Sequence, residues 1–118
     1  MKRQTTQRLV NYVRMHRRRA GLSQRDLEEI FGYRARGAVS QHERLEIVPP
    51  LRIALGYEIL FRTPVAEIFA GLRDSVARDV AQRLKALETR LGQRSATDRA
   101  ANATARKLVW LSARKQSK

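Results

Sequence analysis

The sequence has no cysteine and only two histidines, and its aromatics are limited to three Phe, three Tyr and one Trp in 118 residues. Without cysteine there is neither a disulfide frame nor a thiolate metal site, and the usage suits a reducing, intracellular compartment. The two histidines, His16 and His42, stand apart from any carboxylate pair or phosphate-binding glycine loop. No enzyme, cofactor or metal centre is therefore expected, and His42 reads as a core or interfacial residue. The few aromatics argue against a role built on stacking with single-stranded RNA. No apolar run approaches the roughly 20 residues of a membrane span. Near the N-terminus Asn11 interrupts Leu9, Val10, Tyr12 and Val13, so no secretory core is expected there.

Acid is the other scarcity. Eleven Asp and Glu face 25 Lys and Arg, a net charge of +14. A surface so basic seeks polyanions, of which nucleic acid is the commonest in a cell. The excess sits at the ends. Residues 1–20 carry seven basic residues and no acid, and residues 93–118 carry seven and one. Residues 21–60 carry five and six, close to balance. That distribution points to phosphate-gripping flanks around a folded middle, and to a cytoplasmic, nucleoid-associated protein. With 42% apolar residues the chain can bury one compact core.

The spacing predicts an all-α fold. A first helix is expected over residues 5–19, with Leu9, Val10, Val13 and Ala20 on its apolar stripe and Arg17 interrupting it. A second begins after Ser23, with Asp26 completing a short capping box and Leu22 and Leu27 spaced as a hydrophobic staple. Leu27, Ile30 and Phe31 form its buried face, and Gly32 ends it in a left-handed turn. A third is expected over residues 35–44, with Ala35, Ala38, Val39 and His42 inward and Arg36, Gly37, Ser40, Gln41 and Arg44 outward. Glu43 borders the inward stripe. Arg17 and Glu43 both break apolar patterns on helices that must share a core, so a buried ion pair between them is expected.

Pro50 suits the first turn of a fourth helix, whose apolar residues leave few polar positions, the pattern of a helix packed on several sides or shared with a second subunit. Gly56 inside it marks a close approach. Thr63 reads as the cap and Pro64 as the first residue of a short fifth helix, with Val65, Ile68 and Phe69 inward. A longer helix over residues 72–91 bears Leu72, Val76, Val80, Leu84, Leu87 and Leu91 on one side, with Asp74–Arg78 and Asp79–Arg83 as acid-before-base pairs. Residues 93–102 read as a polar linker before a basic terminal helix docked by Trp110.

The run of Arg17, Gly21, Leu22, Ser23, Gln24 and Leu27, followed by Gly32, Val39, Ser40, Glu43 and Pro49, resembles the Cro/C1-type (XRE family) helix-turn-helix domain of bacterial transcriptional regulators. The later stretch LRIALGYEILFRTPVAEIF is similar to that family's fourth and fifth helices. The resemblance implies a five-helix, lambda-repressor-like DNA-binding domain over residues 1–71 with a basic arm. It would be followed by a packing or dimerisation helix over 72–92, and a linker and basic segment over 93–118. It further implies that Arg36, Gly37 and Gln41 contact bases, and that Gln24, Arg34, Ser40 and Arg44, with Lys2 and Arg3 of the arm, contact phosphates. Arg17 and Glu43 match a buried ion pair of several phage repressors. Two departures stand out. The turn between Gly32 and Val39 is a residue longer than in the shortest phage members. Where the family often has glycine soon after the glutamate, this chain has Leu45 and then acidic Glu46.

The expected function is sequence-specific binding of a double-stranded DNA operator, as a homodimer regulating transcription. The alternative is an antitoxin or coactivator-like adaptor of the same fold, meeting a protein partner through residues 72–91 or the C-terminal segment.

Overall fold

The computed structural model of the chain describes residues 9–93 and 101–116, and it is helical throughout, with no strand among those residues. The helices are α1 (Val13–Arg19), α2 (Gln24–Ile30), α3 (Ala38–Glu43), α4 (Leu51–Phe61), α5 (Val65–Ile68), α6 (Ala70–Gln93) and α7 (Ala101–Gln116). The chain divides inside α6 into two compact units, one ending at Ser75 and the other beginning at Val76. The helix expected over residues 72–92 is α6, which covers Ala70–Gln93.

In the first unit, α1 starts later than its apolar pattern suggests. Residues 5–8 of the expected helix lie outside the described residues, and residues 9–12 are irregular. Their backbone finds partners elsewhere. Tyr12 N–H donates to the Ile68 carbonyl at 2.7 Å, and Gly71 N–H donates to the Val10 carbonyl at 2.8 Å. Asn11 Oδ1 accepts the Val13 N–H at 3.1 Å, which serves the first turn of α1. A Cβ at Gly71 would lie 2.3 Å from the Val10 nitrogen, so only glycine allows this strap to lie so close. Leu9 and Val10 therefore follow the strap, and Val10 is exposed.

Val13, Leu27, Val39, Tyr57, Ile68 and Phe69 form the buried core of this unit, with Leu22, Phe31, Leu45 and Leu60 packed against it. Tyr57 is its centre, edge-on to Phe31 with ring centroids 4.8 Å apart. Gly56 makes room for this contact, since a Cβ there would meet Phe31 at 2.8 Å. Three expectations are corrected. Ile30, Ala20 and Ala35 are exposed, because α2 turns Glu28 rather than Ile30 inward and Ala35 precedes α3. In α4 only Ala54 and Tyr57 are buried, while Leu51 and Ile59 are 74% and 76% exposed. Thr63 does not cap α5. Glu58 Oε1 of α4 accepts the Val65 N–H at 2.8 Å instead.

In the second unit, Leu91 of α6 and Leu111 of α7 are buried, and Lys115 Nζ of α7 reaches Glu88 Oε1 of α6 at 2.8 Å. Trp110 is not the anchor. It is 54% exposed, one helical step away from Leu111, with the Arg114 guanidinium 5.7 Å above its ring. Val76 and Val80 are exposed as well, so the middle of the α6 stripe is uncovered, while Leu72 packs on the core of the first unit and Leu91 is buried. Asp74 pairs with Arg73 rather than Arg78, and Asp79 makes no ion pair with Arg83. The greater part of the expected linker, residues 94–100, lies outside the described residues. No described helix is long and apolar enough to cross a membrane.

Candidate functional site

Local chemistry at the start of α2 sets its position. Asp26 N–H donates to Ser23 Oγ at 2.9 Å and Ser23 N–H donates to Asp26 Oδ2 at 2.9 Å, a reciprocal capping box. The Ser23 amide and hydroxyl hold the Asp26 carboxyl below the usual carboxylate range. Leu22 packs against the core that includes Leu27, which fixes the angle at which the chain joins the helix.

α3 is locked to α1 and α2 by one carboxylate. Arg17 Nε donates to Glu43 Oε2 at 2.6 Å and Nη2 donates to Oε1 at 3.3 Å. Arg17 Nη1 donates to the Leu22 carbonyl at 3.0 Å. Gln24 Nε2 donates to Glu43 Oε1 at 3.0 Å, and Asn11 Nδ2 donates to the Glu43 backbone carbonyl at 2.9 Å. The Glu43 side chain is 5% exposed, and the low local dielectric strengthens each of these bonds. The strap, α1 and α2 thus all converge on the last residue of α3. Gln24, expected to meet a phosphate, directs its amide inward to this lock.

The approach to α3 corrects a second expectation. α3 covers Ala38–Glu43 rather than residues 35–44, so Arg36 and Gly37 lie in the turn before it. Gly37 has φ +107°, a left-handed conformation that side chains oppose. Its N–H donates to Glu28 Oε2 at 2.8 Å, and Arg25 Nη1 approaches Glu28 Oε1 at 3.4 Å. Glu28 is 2% exposed. Apolar periodicity does not mark it. The only signal for it is a glycine ahead of α3 whose unusual backbone turns an amide inward to seek an acceptor. The long turn therefore has an anchor, and Arg34 and Arg36 stand on its exposed side.

Beyond Glu43 the chain closes α3 with a Schellman motif. Leu45 N–H donates to the His42 carbonyl and Glu46 N–H to the Gln41 carbonyl, with Leu45 itself at φ +53°. The motif brings Glu46 back to Arg44. Arg44 Nε and Nη2 donate to the two Glu46 carboxylate oxygens, each at 2.9 Å, and Nη1 donates to Ser40 Oγ. Both partners are exposed. The hydrogen bonds from Arg44 hold the Glu46 carboxyl below its ordinary range, and Glu46 raises the Arg44 guanidinium in turn.

Ser40, Gln41 and Arg44 occupy i, i+1 and i+4 of α3 and its C-cap, opposite the buried Val39 and His42. His42 Nδ1 and the Tyr57 hydroxyl share a 2.9 Å hydrogen bond. Burial pushes His42 below its ordinary value and Tyr57 above its own. Lys2 and Arg3 lie outside the described residues. Among the described residues no group of His, Asp and Glu is arranged to hold a metal. Compared with protein-family models, curated proteins and solved structures, the chain matches none.

Proposed function

We propose that the chain is a sequence-specific double-stranded DNA-binding regulator of the Cro/C1 (XRE) helix-turn-helix type, with α2 and α3 as the motif and α3 docking in the major groove. The observation that carries this reading is the convergence of Arg17, Gln24 and Asn11 on Glu43. It fixes a short helix rigidly from behind while Ser40, Gln41 and Arg44 stay on its outer side. The major groove admits a helix, and glutamine pairs bidentately with adenine there. Gln41 is the reading residue on α3. Arg36 reaches guanine or the groove edge from the preceding turn, and Arg34, Ser40 and Arg44 are phosphate contacts. Gly37 supplies a turn and no readout. Most of the affinity comes from the sequence's basic residues and falls steeply with salt.

The regulator acts as a homodimer. Leu51, Leu55 and Ile59 are spaced four apart along α4 and all exposed, a ridge of the kind that packs against a like ridge. The second reading is an adaptor that captures a protein partner, favoured by the exposed Val109 and Trp110 on α7.

Selection of bound duplexes from a random pool at stated salt tests the first reading. A two-fold consensus with half-sites about one helical turn, 34–36 Å, apart is expected. Absence of any enriched sequence, together with capture of a protein by the α7 face, would favour the adaptor. Gln41→Ala should lose about 1–3 kcal/mol of discrimination at one base pair in each half-site.

A further inference from the structure

The pairing of Arg44 with Glu46 places a carboxylate on the very edge of α3 that the DNA-binding reading assigns to phosphate contact. Resting on that reading, we infer that Glu46 sets the strength of this phosphate contact as a built-in competitor. It holds the Arg44 guanidinium in the DNA-free protein, so that a phosphate must compete with a carboxylate for it.

Glu46 is not a wandering surface acid. Its amide donates to the Gln41 carbonyl at 2.9 Å, and the left-handed Leu45 before it folds the chain back toward α3. Residues 44 and 46 are thereby held on the same side. The pairing uses the Nε–Nη2 edge of Arg44, one of the two edges through which a guanidinium grips an oxyanion bidentately. Nη1 is bonded to Ser40 Oγ, so the two expected phosphate ligands of this edge are joined to each other, and Arg44 alone bonds Glu46.

The consequence falls alike on all DNA. Every duplex presents phosphates, so each must either displace Glu46 from Arg44 or dock beside a negative charge. Phosphate contacts carry no sequence information, so this cost lowers the affinity for cognate and random sites by the same factor. Glu46 thus weakens the sequence-independent part of the binding. In a chain of net charge +14 this matters, because phosphate attraction alone would otherwise hold the protein on any sequence.

The experiment compares the full chain with Glu46→Gln, Arg44→Gln and the double variant. The probes are a random-sequence duplex and the duplex enriched by selection, each titrated over a range of salt. Glu46→Gln keeps the backbone hydrogen bond of the motif, and an unchanged thermal midpoint checks the fold. It should bind the random and the selected duplex each about fivefold more tightly. The salt slope should steepen by about one unit, as Arg44 newly neutralises a phosphate. In the Arg44→Gln background the Glu46→Gln change should have no effect. Gains that persist without Arg44 would show a general field effect and overturn the inference. So would an unchanged affinity. If the parent chain binds neither duplex, the DNA-binding reading fails with it, an outcome distinct from parent binding that Glu46→Gln leaves unaltered.

Discussion

The Glu28 carboxylate, 2% exposed, accepts the Gly37 N–H at 2.8 Å and so ties the turn before α3 back to α2. The two residues solve each other's problem. A buried carboxylate must be hydrogen-bonded, and an amide turned inward by a left-handed backbone must find an acceptor. Through this bond α2 sets where α3 begins, just as Glu43 sets where it ends.

Gly37→Ala should destabilise the protein by about 1–2 kcal/mol, because φ +107° puts Cβ against the backbone. Open space surrounds the position, so the loss is one of conformation rather than of packing. Glu28→Ala should cost about 1–3 kcal/mol for the amide left unsatisfied, and Glu28→Gln clearly less. Urea denaturation of the three variants measures the order.

Arg17 and Glu43 should behave as a unit. Arg17→Met leaves a buried carboxylate held only by Gln24 and should cost about 3–5 kcal/mol. Adding Glu43→Leu should recover most of that loss, because the pair's desolvation is then removed together with its attraction. A double-mutant cycle by chemical denaturation decides it, and additive losses would contradict a coupled pair.

Stability should fall as pH drops below about 6.5, the ordinary histidine value. His42 is 2% exposed and burial lowers its folded value, so the unfolded chain takes up a proton that the native state refuses. The native advantage is complete above the unfolded value and is lost as pH falls from there toward the lowered folded one. The slope from this group is at most about 1.4 kcal/mol per pH unit within that window. Thermal midpoints between pH 7 and 5 should show the decline, and His42→Gln should flatten it.

Leu45 and Arg62 both adopt φ near +50° at helix C-termini, yet the same change should act on them in opposite directions. Arg62 is exposed, so Arg62→Gly relieves strain and should raise stability by about 0.5–1 kcal/mol. Leu45 packs on the core, so Leu45→Gly should lower it by about 2 kcal/mol as the lost burial outweighs the relief. Urea midpoints of the two variants test the signs.

Leu55→Glu, in the middle of the exposed α4 ridge, should leave the helical content intact and yield a monomer by sedimentation. On a two-fold operator it should reduce a two-site footprint to weak single-site binding. Retention of a dimer would move the interface elsewhere.

Short-range chemistry was legible in the chain itself. Ser23 and Asp26 cap α2, Gly32 ends it, and Arg17 and Glu43 could be matched because each interrupts an apolar stripe at a readable period. Fold class and charge distribution likewise follow from composition and spacing, since periodicity reports which side of a helix faces its core. Tertiary structure decided the rest. It moved the start of α1 to Val13, because residues 9–12 bond to the α5–α6 junction. It left the α4 ridge and Trp110 exposed, since a pattern shows that a face is apolar and not what covers it. It also assigned Glu28 to Gly37, Gln24 to Glu43 and Glu46 to Arg44. Such partners are chosen by three-dimensional proximity and the need to satisfy buried or charged groups, and no interval along the chain encodes them.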